Sequence, residues 1–242
     1  MQTESRNIKV FKDETSLNHA AANLLLASAK DAVAKRGRFV IELSGGSSPN
    51  AIYEALAAPP FSAQMPWEQI FFFWGDERCV APDDKRNNAY TAKILMLNKM
   101  PVPASHIFPV PVNLPSDAAA KTYEATINAF FKEQVFFDFV LLGLGENGHT
   151  ASLFPGTPVL REKVAGIRTV FDAEGSMMRI SMTAPLLNLG RQILFIVKGK
   201  RKADILKRVL EGPFLPESIP AQLIQPLKGS LNFFVDEAAR PQ

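Results

Sequence analysis

Residues 141–156 read LLGLGENGHTASLFPG. The run that leads into them, FDFVLLG (137–143), is short, apolar and closed by a glycine turn, and His149 stands just beyond that turn. A short apolar run bounded by turn residues has the pattern of a strand buried on both faces, the kind parallel sheets contain. In open parallel sheets ligands bind outside the carboxyl ends of the strands, and an imidazole there can move protons near neutral pH. One segment therefore predicts a strand, a site and a candidate base.

Outward from this segment the pattern alternates strand and helix. A helix is predicted from about 14 to 35, with Leu17, Ala21, Leu24 and Ala32 on one face and Gly37 as its stop. RFVIELS (38–44) reads as a strand running into GGSSP, where Ser48 can cap and Pro49 can open a short helix, NAIYEALA. IFFFW (70–74) is continuous and apolar, as a strand buried on both faces should be, and it breaks at a GDER loop. Further on the pattern predicts helices over 88–97 and 116–134, with a short strand near 107–110 between them. The strand candidates IRTVF (167–171), MRISM (178–182) and QILFIV (192–197) follow, then a helix over 200–210 and a last strand, LNFFV (231–235). Such alternation argues for an α/β protein: a mainly parallel sheet flanked by helices, Rossmann-like, with residues 1–242 forming a single domain.

Composition narrows the function. At 242 residues and 47% hydrophobic, the chain can bury a full core. A net charge of +3 without a long run of one sign suits a small acidic ligand better than nucleic acid, which calls for a concentrated basic stripe. One cysteine, Cys79, excludes an internal disulfide framework and fits a reducing compartment. The start, MQTESRNIKVF, lacks the apolar core of a signal peptide, and no apolar run reaches membrane-spanning length. A soluble cytoplasmic protein with no membrane partner is expected.

Three loops can carry chemistry. In Ser44-Gly45-Gly46-Ser47-Ser48-Pro49 the glycines let a ligand approach the backbone, and hydroxyls and free N–H groups at a helix start suit a phosphate; a tight strand-to-helix turn explains the same residues. A serine-hydrolase elbow does not fit, because Glu42 stands where that motif needs glycine. In Gly75-Asp76-Glu77-Arg78 the charges pair with one another or meet a polar ligand. Cys79 beside them reads as a small buried residue rather than a nucleophile. The third loop, GLGENG (143–148), satisfies the dinucleotide fingerprint, but Pro155, Gly156 and Pro158 forbid the long helix that should follow. His19 and His106 read as structural. Arg179 and Gly199-Lys200-Arg201-Lys202 add basic groups near strand ends, and a lysine in a first helical turn, opposed by the helix dipole, makes sense beside an anion. No histidine pair or cysteine cluster suggests a metal.

Taken in order, LSGGSSP (43–49), FFFWGDERCV (71–80), NNAYTAK (87–93), LLGLGENGHTASLFPG (141–156), RISMT (179–183) and GKRK (199–202) resemble the motifs of the glucosamine-6-phosphate isomerase/6-phosphogluconolactonase superfamily, on its lactonase side. The resemblance implies hydrolysis of 6-phospho-D-glucono-1,5-lactone in the pentose phosphate pathway, without cofactor or metal. By that likeness His149 is the general base, and the loop Ser44, Gly45, Gly46 and Ser47 binds the sugar phosphate. Asp76, Arg78, Asn88, Arg179 and Lys202 become candidates for holding phosphate or lactone oxygens. Many members carry aspartate where this chain has Asn147. The rivals are a deaminase/isomerase of the same superfamily, a non-catalytic sugar-phosphate-binding protein and, more distantly, a dehydrogenase. The small-molecule lactone is the implied partner, and a monomer is the favoured state.

Overall fold

The computed structural model describes residues 6–172, 175–226 and 228–241. Six strands form one parallel sheet: β1 (Arg6–Phe11), β2 (Phe39–Leu43), β3 (Ile70–Trp74), β5 (Phe139–Gly143), β8 (Gln192–Val197) and β9 (Ser230–Asp236). Their order is β1-β9-β8-β5-β2-β3, with every neighbouring pair parallel. Successive side chains alternate between the two faces. Phe39, Ile41, Phe139, Leu141, Leu194 and Ile196 bury into one layer under helices α1 (Glu14–Arg36), α2 (Asn50–Leu56) and α3 (Asn88–Leu95). Val40, Val140, Leu142, Ile193 and Phe195 bury into the other, under α4 (Ser116–Phe131) and α6 (Ala203–Glu211). Full burial of one such aliphatic or aromatic side chain is worth roughly 1.5–3 kcal/mol, so the two apolar faces of the central strands hold both helical layers in place.

Local signals set the element ends. Asp13 opens α1 through a capping box: its carboxylate accepts the Ser16 N–H at 2.7 Å, and Ser16 Oγ accepts the Asp13 N–H. Gly37 closes the helix at φ +73, the left-handed cap glycine favours. The buried stripe of α1 is Leu17, Ala21, Leu25 and Ala29 with Asn18, Ala22 and Leu26 beside it, so Leu25 takes the core position that the pattern gave to Leu24.

Three strands depart from the simple alternation. β4 (Asp76–Arg78) is a strand where a GDER loop was expected, and it pairs antiparallel with β7 (Met177–Met182). β7 pairs in turn with β6 (Ile167–Asp172), so these three form a separate antiparallel sheet. Ile167, Val170, Ile180 and Met182 bury into the cluster that also holds α4. Gly75 is the pivot between the sheets: its N–H donates to Leu43 O at 3.2 Å, and its carbonyl accepts the Met182 N–H at 2.7 Å. A Cβ there would stand 1.9 Å from Glu42 Oε1, which is why the turn needs glycine.

Other expectations need correction. Residues 107–110 form only a single bridge, Ile107 to Phe72, because Pro109 and Pro111 have no N–H to extend a ladder. α3 ends at Leu95 and α4 at Phe131, where Lys132 turns to φ +62. The predicted helix at 200 begins as a 3-10 turn, Lys200–Lys202, and α5 (Ala184–Leu187) is one further short turn. Ser48 makes no capping bond, and Pro49 occupies the N-cap of α2. Among the described residues no helix is long and apolar enough to cross a membrane.

Candidate active site

The sheet order fixes where a ligand can enter. From β2 the chain goes outward to β3, then returns to place β5 on the opposite side of β2. The loops leaving β2 and β5 therefore diverge, and the crevice between them is the switch point where open α/β sheets bind ligands. Only Ile41–Phe139 and Glu42–Val140 pair across β2 and β5, so the two strands part early. The Glu42 side chain closes the floor of that gap by accepting the Leu141 N–H at 3.0 Å. Burial, and then Asp76, push its carboxyl well above the ordinary carboxylate range.

A cavity of about 880 Å³ opens above this floor. Ser44–Ser48 line one wall, Gly143–Asn147 and His149–Ala151 another, and Asp76, Arg78, Phe154, Asp172, Gly175, Arg179 and Lys202 complete it. Residues far apart in sequence thus meet in one place. Asn88 alone among the predicted contacts does not line the cavity. It is buried behind the wall, where its amide donates to Asp76 O at 2.9 Å and accepts from Arg78 Nη1.

His149 is held by its own loop. Its backbone N–H donates to Asn147 Oδ1 at 3.2 Å, and its ring Nδ1 lies 2.5 Å from the same oxygen. An oxygen that accepts the backbone N–H can only accept from the ring, so Nδ1 carries the proton and Nε2 keeps the free lone pair. Gly145 makes room for this ring: a Cβ there would stand 2.1 Å from Nδ1. Burial pulls the imidazole below its ordinary 6.5; Asp76 opposes that, while Lys202 and Arg179 add to it. The neutral, basic form therefore dominates at pH 7.

Cations face the base across the cavity. Arg78 and Arg179 are cross-strand partners on β4 and β7. Among the described residues Arg78 forms no ion pair: Nη1 donates to Arg86 O at 2.8 Å and to Asn88 Oδ1, and its buried Nε has no partner. Of the two readings of GDER, pairing among its own charges is not found among the described residues. Arg179 bonds Asp172 at 2.7 Å while its Nε also lacks a partner. Phe154 stands between base and cation, its ring centroid 4.8 Å from that of His149 and 5.8 Å from the Arg179 guanidinium. Lys202 is half-buried at the cavity edge, and burial lowers its pKa. Asp76 accepts the Ser152 hydroxyl at 2.6 Å. Burial and Glu77 raise the Cys79 thiol, which keeps it protonated and a poor nucleophile.

Sequence reasoning missed Asp172, Ser152 and the carboxyl of Glu42. Glu42 had a readable signal, a lone charge inside the apolar run FVIEL. Asp172 and Ser152 had none, since Asp172 meets Arg179 only through the β6–β7 pairing and Ser152 meets Asp76 from a distant part of the chain. Among the described residues no group of three or more His, Cys, Asp or Glu stands together as a metal site would need.

Known proteins resemble this chain in sequence and fold. The protein named 6-phosphogluconolactonase in Nostoc sp. strain PCC 7120 is 38% identical over 240 residues, spanning 97% of both chains. A solved structure, the devB protein, superposes with a TM-score of 0.89 at 31% identity over 97% of this chain and 98% of that one. A monomeric glucosamine-6-phosphate deaminase shares the fold, with a TM-score of 0.82 at 20% identity over 96% of this chain and 98% of that one. The family model for glucosamine-6-phosphate isomerases/6-phosphogluconolactonase matches residues 12–233. On this evidence the chain belongs to the glucosamine-6-phosphate isomerase/6-phosphogluconolactonase family.

Proposed function

We propose that the protein is a cytoplasmic hydrolase, working as a single domain, that opens 6-phospho-D-glucono-1,5-lactone to 6-phospho-D-gluconate in the oxidative pentose phosphate pathway. The observation that carries the reading is the meeting, in one cavity, of a neutral His149 with a free Nε2, a glycine-serine loop and the cations Arg78, Arg179 and Lys202. In this reading the loop N–H and hydroxyl groups of Ser44–Ser47 hold the 6-phosphate with help from Lys202 or Arg179. Because α2 is short and begins at a proline N-cap, the loop and these cations hold the anion rather than a helix dipole. Binding energy from this remote phosphate positions the reacting ester.

His149 Nε2 then takes a proton from water as the oxygen adds to the lactone C1. The negative charge that develops on the former carbonyl oxygen is met by an arginine or loop N–H. Collapse of the tetrahedral adduct breaks the bond between C1 and the ring oxygen, and the imidazolium returns its proton to that oxygen. The carboxylic acid formed releases a proton to solvent. Neither a covalent nucleophile nor a redox step is required.

The decisive experiment follows acid release from freshly generated 6-phosphogluconolactone. A rate above spontaneous hydrolysis, proportional to enzyme, supports the assignment, and a rate equal to the blank refutes it.

A further inference from the structure

Glu77 is fully buried, yet no cation pairs with it among the described residues. Its carboxylate instead accepts three backbone N–H groups: Arg78 at 2.8 Å, Asn88 at 2.8 Å and Ala89 at 2.9 Å. Two of these belong to the first turn of α3, whose N-cap is already supplied by Asn87, with its Oδ1 accepting the Tyr90 N–H at 2.8 Å. A second cap exceeds what an eight-residue helix needs. What Glu77 adds is a rigid join between α3 and β4.

That join ends at the cavity. Asn88, held through its N–H by Glu77, presents Oδ1 to Arg78 Nη1 and Nδ2 to Asp76 O. It also packs against the phosphate loop so closely that a Cβ on Gly45 would stand 1.9 Å from Asn88 Oδ1. Arg78 lines the cavity and is the cross-strand partner of Arg179, whose like charge repels its guanidinium. Something must hold it there, and the only acceptors that do so among the described residues are Asn88 Oδ1 and Arg86 O.

We propose that Glu77 is a positioning residue for substrate recognition: by tying Arg78, Asn88 and Ala89 together through their backbone N–H groups, it sets the Arg78 guanidinium against the lactone and the Gly45 loop. The inference rests on the lactonase reading for the identity of the ligand, but the geometry applies to any sugar phosphate in the cavity. A glutamine is a poor substitute, because its amide nitrogen would face an N–H donor where the second carboxylate oxygen now accepts.

The test is a double-mutant cycle on Glu77→Gln and Arg78→Ala, read in kcat/KM for the lactone and, by calorimetry, in Kd for 6-phosphogluconate. Glu77→Gln is expected to weaken both by roughly tenfold to a hundredfold, the scale of a misplaced binding group, and to cost little more once Arg78 is gone. Equal losses on the wild-type and Arg78→Ala backgrounds would make Glu77 a stability residue and overturn the proposal, as would near-normal binding in the folded Glu77→Gln protein. If Glu77→Gln does not fold, Glu77→Asp replaces it in the same cycle, and failure of both to fold also overturns it. Wild-type protein that binds 6-phosphogluconate without hydrolysing the lactone would sink the proposed reaction, while the Kd cycle would still decide the role of Glu77.

Discussion

Arg78 and Arg179 stand directly opposite each other across the antiparallel β4–β7 pair. Like charges facing across a sheet are destabilising, and each of these guanidinium groups has a buried Nε without a partner. Asp172 offsets the charge of Arg179 only, and the Gly175 N–H shares that carboxylate. Two cations placed together at the edge of a cavity make physical sense when an anion is shared between them.

The first prediction follows from that pair. 6-Phosphogluconate should raise the melting temperature of the wild type, because a ligand at about a hundred times its Kd stabilises by about 2.7 kcal/mol, or roughly 5–10 °C for a chain of this size. In Arg78→Ala the same concentration should give a much smaller shift. Differential scanning fluorimetry reads both, and an undiminished shift in the variant would remove Arg78 from the site.

The base is tested next. His149→Ala should lower kcat by roughly 10²–10⁴-fold, the usual contribution of general acid–base catalysis, with the melting temperature nearly unchanged. Gly145→Ala should do similar damage by another route, since its methyl would occupy the space of the His149 ring. Near-normal turnover in folded His149→Ala would refute the assignment.

Asn147 bears on pH. Burial holds the His149 pKa below 6.5, and the amide of Asn147 orients the ring without adding charge. As a base, His149 loses activity as pH falls through its pKa, so the acid limb of kcat/KM should lie below 6.5 in the wild type. A carboxylate at the same place favours the imidazolium and raises that pKa. Asn147→Asp should therefore move the acid limb to higher pH. A pH–rate profile checks the sign, and a shift toward lower pH would contradict it.

How much of this could be read from the chain depends on what each element needs from its neighbours. FDFVLLG and IFFFW are legible because a strand buried on both faces carries its pattern within itself. β1 is not: five of the six residues in RNIKVF are exposed, and the strand exists because β9 offers it a ladder. β4 looked like a loop for the same reason, since DER becomes a strand only when β7 lies beside it. In the site, His149 and the glycine loops were visible as local exceptions to apolar patterning. The roles of Asn88 and Glu77 were not, because both depend on α3 meeting β4 and on Gly45 lying close by.

The phosphate loop gives a prediction of its own. Gly46 sits at φ +81, and a Cβ added there would meet nothing within 4 Å, so space is free and only the backbone conformation demands glycine. Gly46→Val should strain the loop by about 1–2 kcal/mol and raise KM for the phosphorylated lactone while kcat changes less. The unphosphorylated δ-lactone should be a poor substrate for the wild type. Equal handling of the two lactones would show that no phosphate clamp operates here.

The last prediction separates hydrolysis from the other chemistry of the family, which the shared fold alone does not do. Ring-opening isomerisation with amine release must shift protons between the first two sugar carbons, which needs acid/base groups beside the histidine. Beside the base stand Asn147 and Phe154. The amide accepts from His149 Nδ1, and the phenyl ring packs against the imidazole. Neither exchanges a proton near pH 7. Hydrolysis needs neither, since His149 Nε2 activates water alone. Purified protein should therefore release no ammonia and form no ketose from glucosamine 6-phosphate, which should act at most as a weak competitor held through its phosphate. Ammonia production above a His149→Ala control, followed by a coupled dehydrogenase assay, would overturn the lactonase reading in favour of the deaminase.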